Sequence, residues 1–188
     1  MKFDPYIHHR HSIRLKKYDY SQNGFYFITI CTNNRECFFE KHPVLKNIVR
    51  NQWENIPKHF PCVELDEYII MPNHIHGIIV VGATFTVAQY QRLSRNHFGA
   101  GARPAPTIGD IVGSFKSLCI NEWLKYIKQN TINELGKFWQ RNYYEHIIRN
   151  DHELNRIRKY IINNPLKWEL DNNNPNNKSH KPPKLICS

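Results

Sequence analysis

The chain has 188 residues, 40% hydrophobic and 13% aromatic, enough for one folded domain with a sizeable core. No apolar run reaches the roughly 18 residues that a membrane span needs, and the basic start "MKFDPYIHHRHSIRLKK" lacks the apolar centre of a secretory signal, so the expected place is the cytoplasm and no membrane partner is expected. Lys and Arg outnumber Asp and Glu by 26 to 16, a formal charge of +10 that favours polyanionic partners but leaves a merely basic soluble protein open.

In chain order, residues 1–23 read as a basic lead-in that ends at the turn signal Asn23-Gly24. "FYFITICT" (25–32) is aromatic and β-branched and predicts the first strand. "HPVLKNIVRNQWENIPKHF" predicts a helix, with Leu45, Ile48, Val49 and Trp53 on one face and Pro57 as its stop. "CVELDEYIIMPNHIHGIIVV" reads as two strands around the turn Pro72-Asn73.

Residues 82–106 show no sustained periodicity and read as a flexible insertion. "TIGDIVGSFKSLCINEWLKYIKQ" restores helical spacing, with Ile108, Ile111, Val112, Phe115 and Leu118 on one face and Thr107 as cap. "FWQRNYYEHIIRN" (138–150) predicts a further strand. Asp151 is expected to cap a last helix that Pro165 stops, and the tail 169–188 reads as disordered. The order predicts an α+β fold, a ferredoxin-like split βαβ with an antiparallel sheet and two helices on one face, plus an added C-terminal helix. The domain is expected to span 24–168.

Inside the hairpin's second arm, "MPNHIHGIIVV" interrupts an apolar strand with two histidines. Alternation puts His74 and His76 on one face, about 7 Å apart along the backbone, while Ile75 points into the core. The pair is expected on the face that the two helices leave open. Two such imidazoles can share one metal ion, although HxH also arises by chance. A third ligand would come from Asp, Glu, Asn, Gln or His. On the last helix, Tyr160 and Asn164 share a face, and Leu154, Ile157 and Ile161 form the apolar stripe that docks it. The five cysteines form no CxxC pair, which suggests neither a disulfide framework nor a thiolate zinc site.

"MPNHIHGII" followed far downstream by "YIINNP" resembles the REP-associated tyrosine transposases, which belong to the HUH single-strand nucleases; U is a hydrophobic residue, here Ile75. "SIRLKKYDYSQNGFYFITICTNNR", "IGDIVGSFKS" and "FWQRNYYEHIIRN" extend the likeness, in the expected order, over about residues 8–168. The resemblance implies His74 and His76 as metal ligands, Asn164 as the third, and Tyr160 as nucleophile. Tyr143 and Tyr144 are adjacent rivals, but neither has an amide one turn away. It further implies a Mg²⁺ or Mn²⁺ cofactor and single-stranded DNA bearing a REP-type hairpin as partner. Cleavage would give a 5′-phosphotyrosine and a free 3′-hydroxyl, by a monomer and not by a dimer exchanging tyrosine helices.

Arg14, Lys16, Lys17, Lys116, Arg141 and Arg149 are expected, as a group, to grip phosphates. No nucleotide cofactor is expected, since "GAGARP" lacks the GK[ST] of a phosphate loop. Two alternatives share these features: a hairpin DNA- or RNA-binding regulator without turnover, and a phosphodiesterase that uses water and leaves no adduct.

Overall fold

A computed structural model describes residues 23–82, 106–171 and 173–177. The expected lead-in with Arg14, Lys16 and Lys17, and nearly all of the 82–106 insertion, lie outside the described residues. Strand β1 (Gly24–Cys31) is followed by a 3₁₀ turn (Asn33–Arg35) and three helices, α1 (Phe38–Lys41), α2 (Pro43–Glu54) and α3 (Ile56–His59). Strands β2 (Val63–Ile70) and β3 (His74–Val81) form the hairpin. Helix α4 (Ile108–Gln129), strand β4 (Tyr144–Ile148) and helix α5 (Asp151–Asn163) follow, and the chain continues in 3₁₀ turns over Pro165–Leu170.

The sheet order is β2-β3-β1-β4 and every neighbouring pair is antiparallel, which is the split βαβ arrangement that the element order predicts. One face carries the main core. Tyr26, Ile28 and Ile30 of β1 and Ile75 and Ile79 of β3 meet Leu45, Val49 and Trp53 of α2 and Phe115, Cys119 and Trp123 of α4. Each fully buried aliphatic side chain there contributes about 2 kcal/mol. A Cβ on Gly77 would lie 2.3 Å from Trp53 Cζ2, so only glycine lets the indole rest on β3 at this point.

Local differences from the expected elements have local causes. Helix α2 stops at Glu54, because Pro57 has no N–H to return to the Trp53 carbonyl; Pro57 instead sits in the first turn of α3. On α4 the stripe runs Phe115, Cys119, Trp123 and Ile127, leaving Leu118 beside it and only partly covered. The Thr107 cap forms, with Asp110 closing a capping box. Phe138 and Trp139 are both buried against the main core, and of the predicted 138–150 strand only β4 and one bridge between Thr32 and Trp139 pair with the sheet. Asn150, not Asp151, caps α5: its side chain accepts from Glu153 N at 2.9 Å, and Asp151 is the first helical residue.

Packing at Gly77 predicts that Gly77→Ala lowers unfolding stability by about 1–3 kcal/mol in a urea titration. Gly113→Ala, in the open at a helical position, should raise it by up to about 1 kcal/mol.

Candidate functional site

Alternation along β3 turns His74, His76, Ile78 and Val80 away from the main core. Helix α5 lies across that second face and docks Leu154, Ile157 and Ile161 on Phe27, Ile78, Val80 and Ile148. The face expected to be open is therefore partly covered by the helix that carries Tyr160. A fork of hydrogen bonds from Arg158 Nε and Nη2 to the Asp66 carboxylate ties α5 to β2.

The orientation of His74 follows from Asn73. Its Nδ2 donates to the carbonyls of Arg35 at 2.7 Å and Asn173 at 2.6 Å. Its Oδ1 is thereby left to accept from His74 Nδ1, 2.8 Å away. His74 is thus the tautomer protonated at Nδ1, which leaves on Nε2 a lone pair that accepts from His76 Nε2. His76 Nδ1 contacts Thr29 Oγ1 at 2.8 Å, from the strand alongside. The two Nε2 atoms converge to 3.0 Å. Burial is the main reason that both rings titrate far below an ordinary histidine, at about 3, so both are neutral imidazoles at physiological pH.

Tyr160 brings its hydroxyl to 3.3 Å from His76 Nε2. Burial and the charge of Asp171 push this phenol above its ordinary value, while a hydrogen bond from the Asn164 side chain works in the opposite direction. Asn164 is buried, and its Oδ1 has no hydrogen-bond partner among the described residues. The expected four, His74, His76, Tyr160 and Asn164, are brought together.

A fifth residue joins them that sequence reasoning missed. The 3₁₀ turns after Pro165 lead the chain back over the histidines, with the Trp168 ring 6.0 Å from that of His74. They deliver Asp171 Oδ2 to 3.9 Å from His74 Nε2. Ligand atoms of His74, His76 and Asp171 all lie within 4.8 Å of one another. Nothing in an Asn-rich tail marks this aspartate, because its place depends on the turns before it. Within the tail expected to be disordered, Asn173 O accepts from Asn73 and the buried Asn174 donates to Trp168 O. Two converging imidazole nitrogens and the Asp171 carboxylate fit a divalent cation, and the unpartnered amide oxygen of Asn164 is buried beside Tyr160.

Of the expected phosphate-gripping residues, the three that are described, Lys116, Arg141 and Arg149, are not gathered here. Lys116 Nζ donates to the carbonyls of Gln140 and Arg141, and burial lowers it to about 8. Lys116 and Arg141 line a separate cleft of about 450 Å³ along α4 with Gly109, Gly113 and Tyr143. Arg149 is exposed at the end of β4. Of the rival tyrosines, Tyr143 packs partly against the main core, and Tyr144 is half exposed on the face of the site. No helix among the described residues is long and apolar enough to cross a membrane.

No protein-family model matches the chain. An uncharacterized protein of Haemophilus influenzae is 44% identical over 183 residues, 90% of this chain and 96% of that one. A second Haemophilus influenzae protein, provisionally named a REP-associated tyrosine transposase, is 26% identical over 149 residues, 79% of this chain and 74% of that one. The solved structure of a REP-associated tyrosine transposase bound to a REP hairpin has the same fold, with a TM-score of 0.53 at 17% identity over 82% of this chain and 74% of that one. The resemblance to REP-associated tyrosine transposases thus holds in sequence and in fold.

The cluster predicts that isothermal titration detects Mn²⁺ binding which His74→Ala abolishes, and which Asn73→Ala weakens by roughly 10- to 100-fold through loss of the oriented tautomer. The Arg158 hydrogen bond holds the Asp66 carboxyl below the usual carboxylate range. Its stabilisation is therefore whole above about pH 4 and is lost as pH falls through the folded value. Asp66→Asn should cost about 1 kcal/mol at pH 7 and flatten this part of the acid-unfolding curve.

Proposed function

We propose that this chain, which belongs to one family with the 44%-identical Haemophilus influenzae protein, is a single-strand DNA transposase of the REP-associated tyrosine kind, cutting and rejoining a strand beside a hairpin. The observation that carries this reading is the Tyr160 hydroxyl beside the converging Nε2 atoms of His74 and His76. The shared fold and the +10 charge support it.

His74 and His76, with Asn164 or Asp171, would hold a divalent ion, Mg²⁺ or Mn²⁺, which when bound would supply positive charge beside the scissile phosphate. The remaining chemistry belongs to the chain. Tyr160 Oη attacks phosphorus in line, a P–O bond to tyrosine forms, and the bond from phosphorus to the 3′ oxygen breaks. The phenol proton ends on the departing 3′ oxygen. The 5′ end stays on Tyr160, and a 3′-hydroxyl reverses the step on the same or another strand, so the bond energy is conserved and no nucleotide cofactor is needed.

The Arg158–Asp66 fork holds the nucleophile's helix against β2 while the phosphate is engaged. Helix α5 docks on the sheet of its own chain and carries Tyr160 to His76 there, which supports a monomer acting alone, with a working domain that starts at 24 and runs past the expected 168 to include Asp171. Arg141 and Arg149 would meet the phosphates outside the site. A second reading, a hairpin-binding regulator without turnover, draws on Asp171, a carboxylate set where it opposes an incoming phosphate.

Mixing the protein, Mn²⁺ and a hairpin oligonucleotide with single-stranded flanks, labelled at its 3′ end, should give a labelled protein band in denaturing electrophoresis. Tyr160→Phe and EDTA should each remove it, and His76→Ala should reduce it at least 100-fold. An adduct that persists in Tyr160→Phe would sink the tyrosine assignment. Cleavage without an adduct would favour the water mechanism, and binding with neither would favour the regulator.

A further inference from the structure

Beside Tyr160 a cavity of about 300 Å³ opens, lined by Phe27, Tyr144, His146, Arg156, Ile157 and Tyr160. Strand pairing builds it. Tyr144 lies opposite Thr29, and His146 opposite Phe27, so alternation puts both β4 side chains on the same face as His76.

Phe27 is the floor, 9% exposed, and the two tyrosines stand as walls, 51% exposed at Tyr144 and 47% at Tyr160. Both meet Phe27 edge-on, at 6.3 Å and 6.1 Å between ring centres. Phe27 also stacks on His76 at 5.4 Å and 25°. The cavity thus shares a wall with the nucleophile and a floor with an imidazole of the metal cluster. At its rim Arg156 is largely exposed, 3.7 Å from Glu153, whose carboxylate also holds His146 at 2.8 Å.

Flat aromatic walls with a guanidinium at the edge suit a planar heterocycle attached to a phosphate. We infer that this cavity receives the base of a nucleotide adjoining the scissile phosphate, with Tyr144 as the stacking wall and Arg156 facing the backbone. The inference rests on the DNA reading above and assigns Tyr144 to substrate positioning, not to the chemistry.

The test uses the full chain in EDTA, which keeps the strand intact, and the same hairpin oligonucleotide with 2-aminopurine placed at each flank position in turn. Fluorescence anisotropy reads binding, and 2-aminopurine quenching reads stacking. Wild type should quench one position beside the cleavage point. Tyr144→Phe should keep the quenching, while Tyr144→Ala and Tyr144→Leu, with unchanged circular dichroism at this half-exposed position, should abolish it and weaken binding roughly tenfold. Binding with no quenched position, or with quenching that survives Tyr144→Leu, would overturn the pocket and leave the DNA reading standing. No anisotropy change at any probe position would overturn the DNA reading, and the pocket with it.

Discussion

The carboxamide of Asn73 is the constraint on which the site depends. It is fully buried, and each of its polar atoms has a partner: two carbonyls for Nδ2 and one imidazole for Oδ1. Its backbone carbonyl accepts from both Thr32 N and Thr32 Oγ1, at 2.8 and 3.0 Å. One side chain therefore joins the hairpin turn, the 3₁₀ turn after β1, the returning tail and the tautomer of His74. Such a fully satisfied polar network admits few other arrangements, since any slip would strand a buried donor or acceptor.

The sheet divides its work between its faces. Toward α2 and α4 it is apolar and tightly filled, and Gly77 marks how closely the indole of Trp53 approaches. Toward α5 the packing is confined to one smaller cluster, and polar groups occupy the rest. This division lets two histidines sit in the middle of a strand at small cost to the fold. It also makes α5 the element whose docking sets Tyr160, with an apolar stripe on one side and the Arg158–Asp66 fork on the other.

The electrostatics around Tyr160 oppose one another. Neutral imidazoles and an amide leave the charge of a bound cation undiminished, whereas Asp171 brings a negative charge to the same spot and pushes the phenol further from ionisation. On the proposed reading, Asn164 as a ligand would leave room for a phosphate, and Asp171 as a ligand would compete with it.

Much was legible from residue order alone. Period-two and period-3.6 patterns located the four strands and three main helices, and alternation placed His74 and His76 on one face with Ile75 behind them, because these are local properties of the backbone. The same locality explains the small errors at Leu118 and Asp151, where a shift of one residue changes a face or a cap. Tyr160 and Asn164 could be paired by helical spacing, and joined to the histidines through the family likeness. Asp171, Thr29 and the Phe27–Tyr144 cavity could not be read this way. Their places depend on which strands lie side by side and on how the chain turns after Pro165. Strand neighbours and chain returns are set by the packing of the whole sheet, and only the tertiary structure decides them.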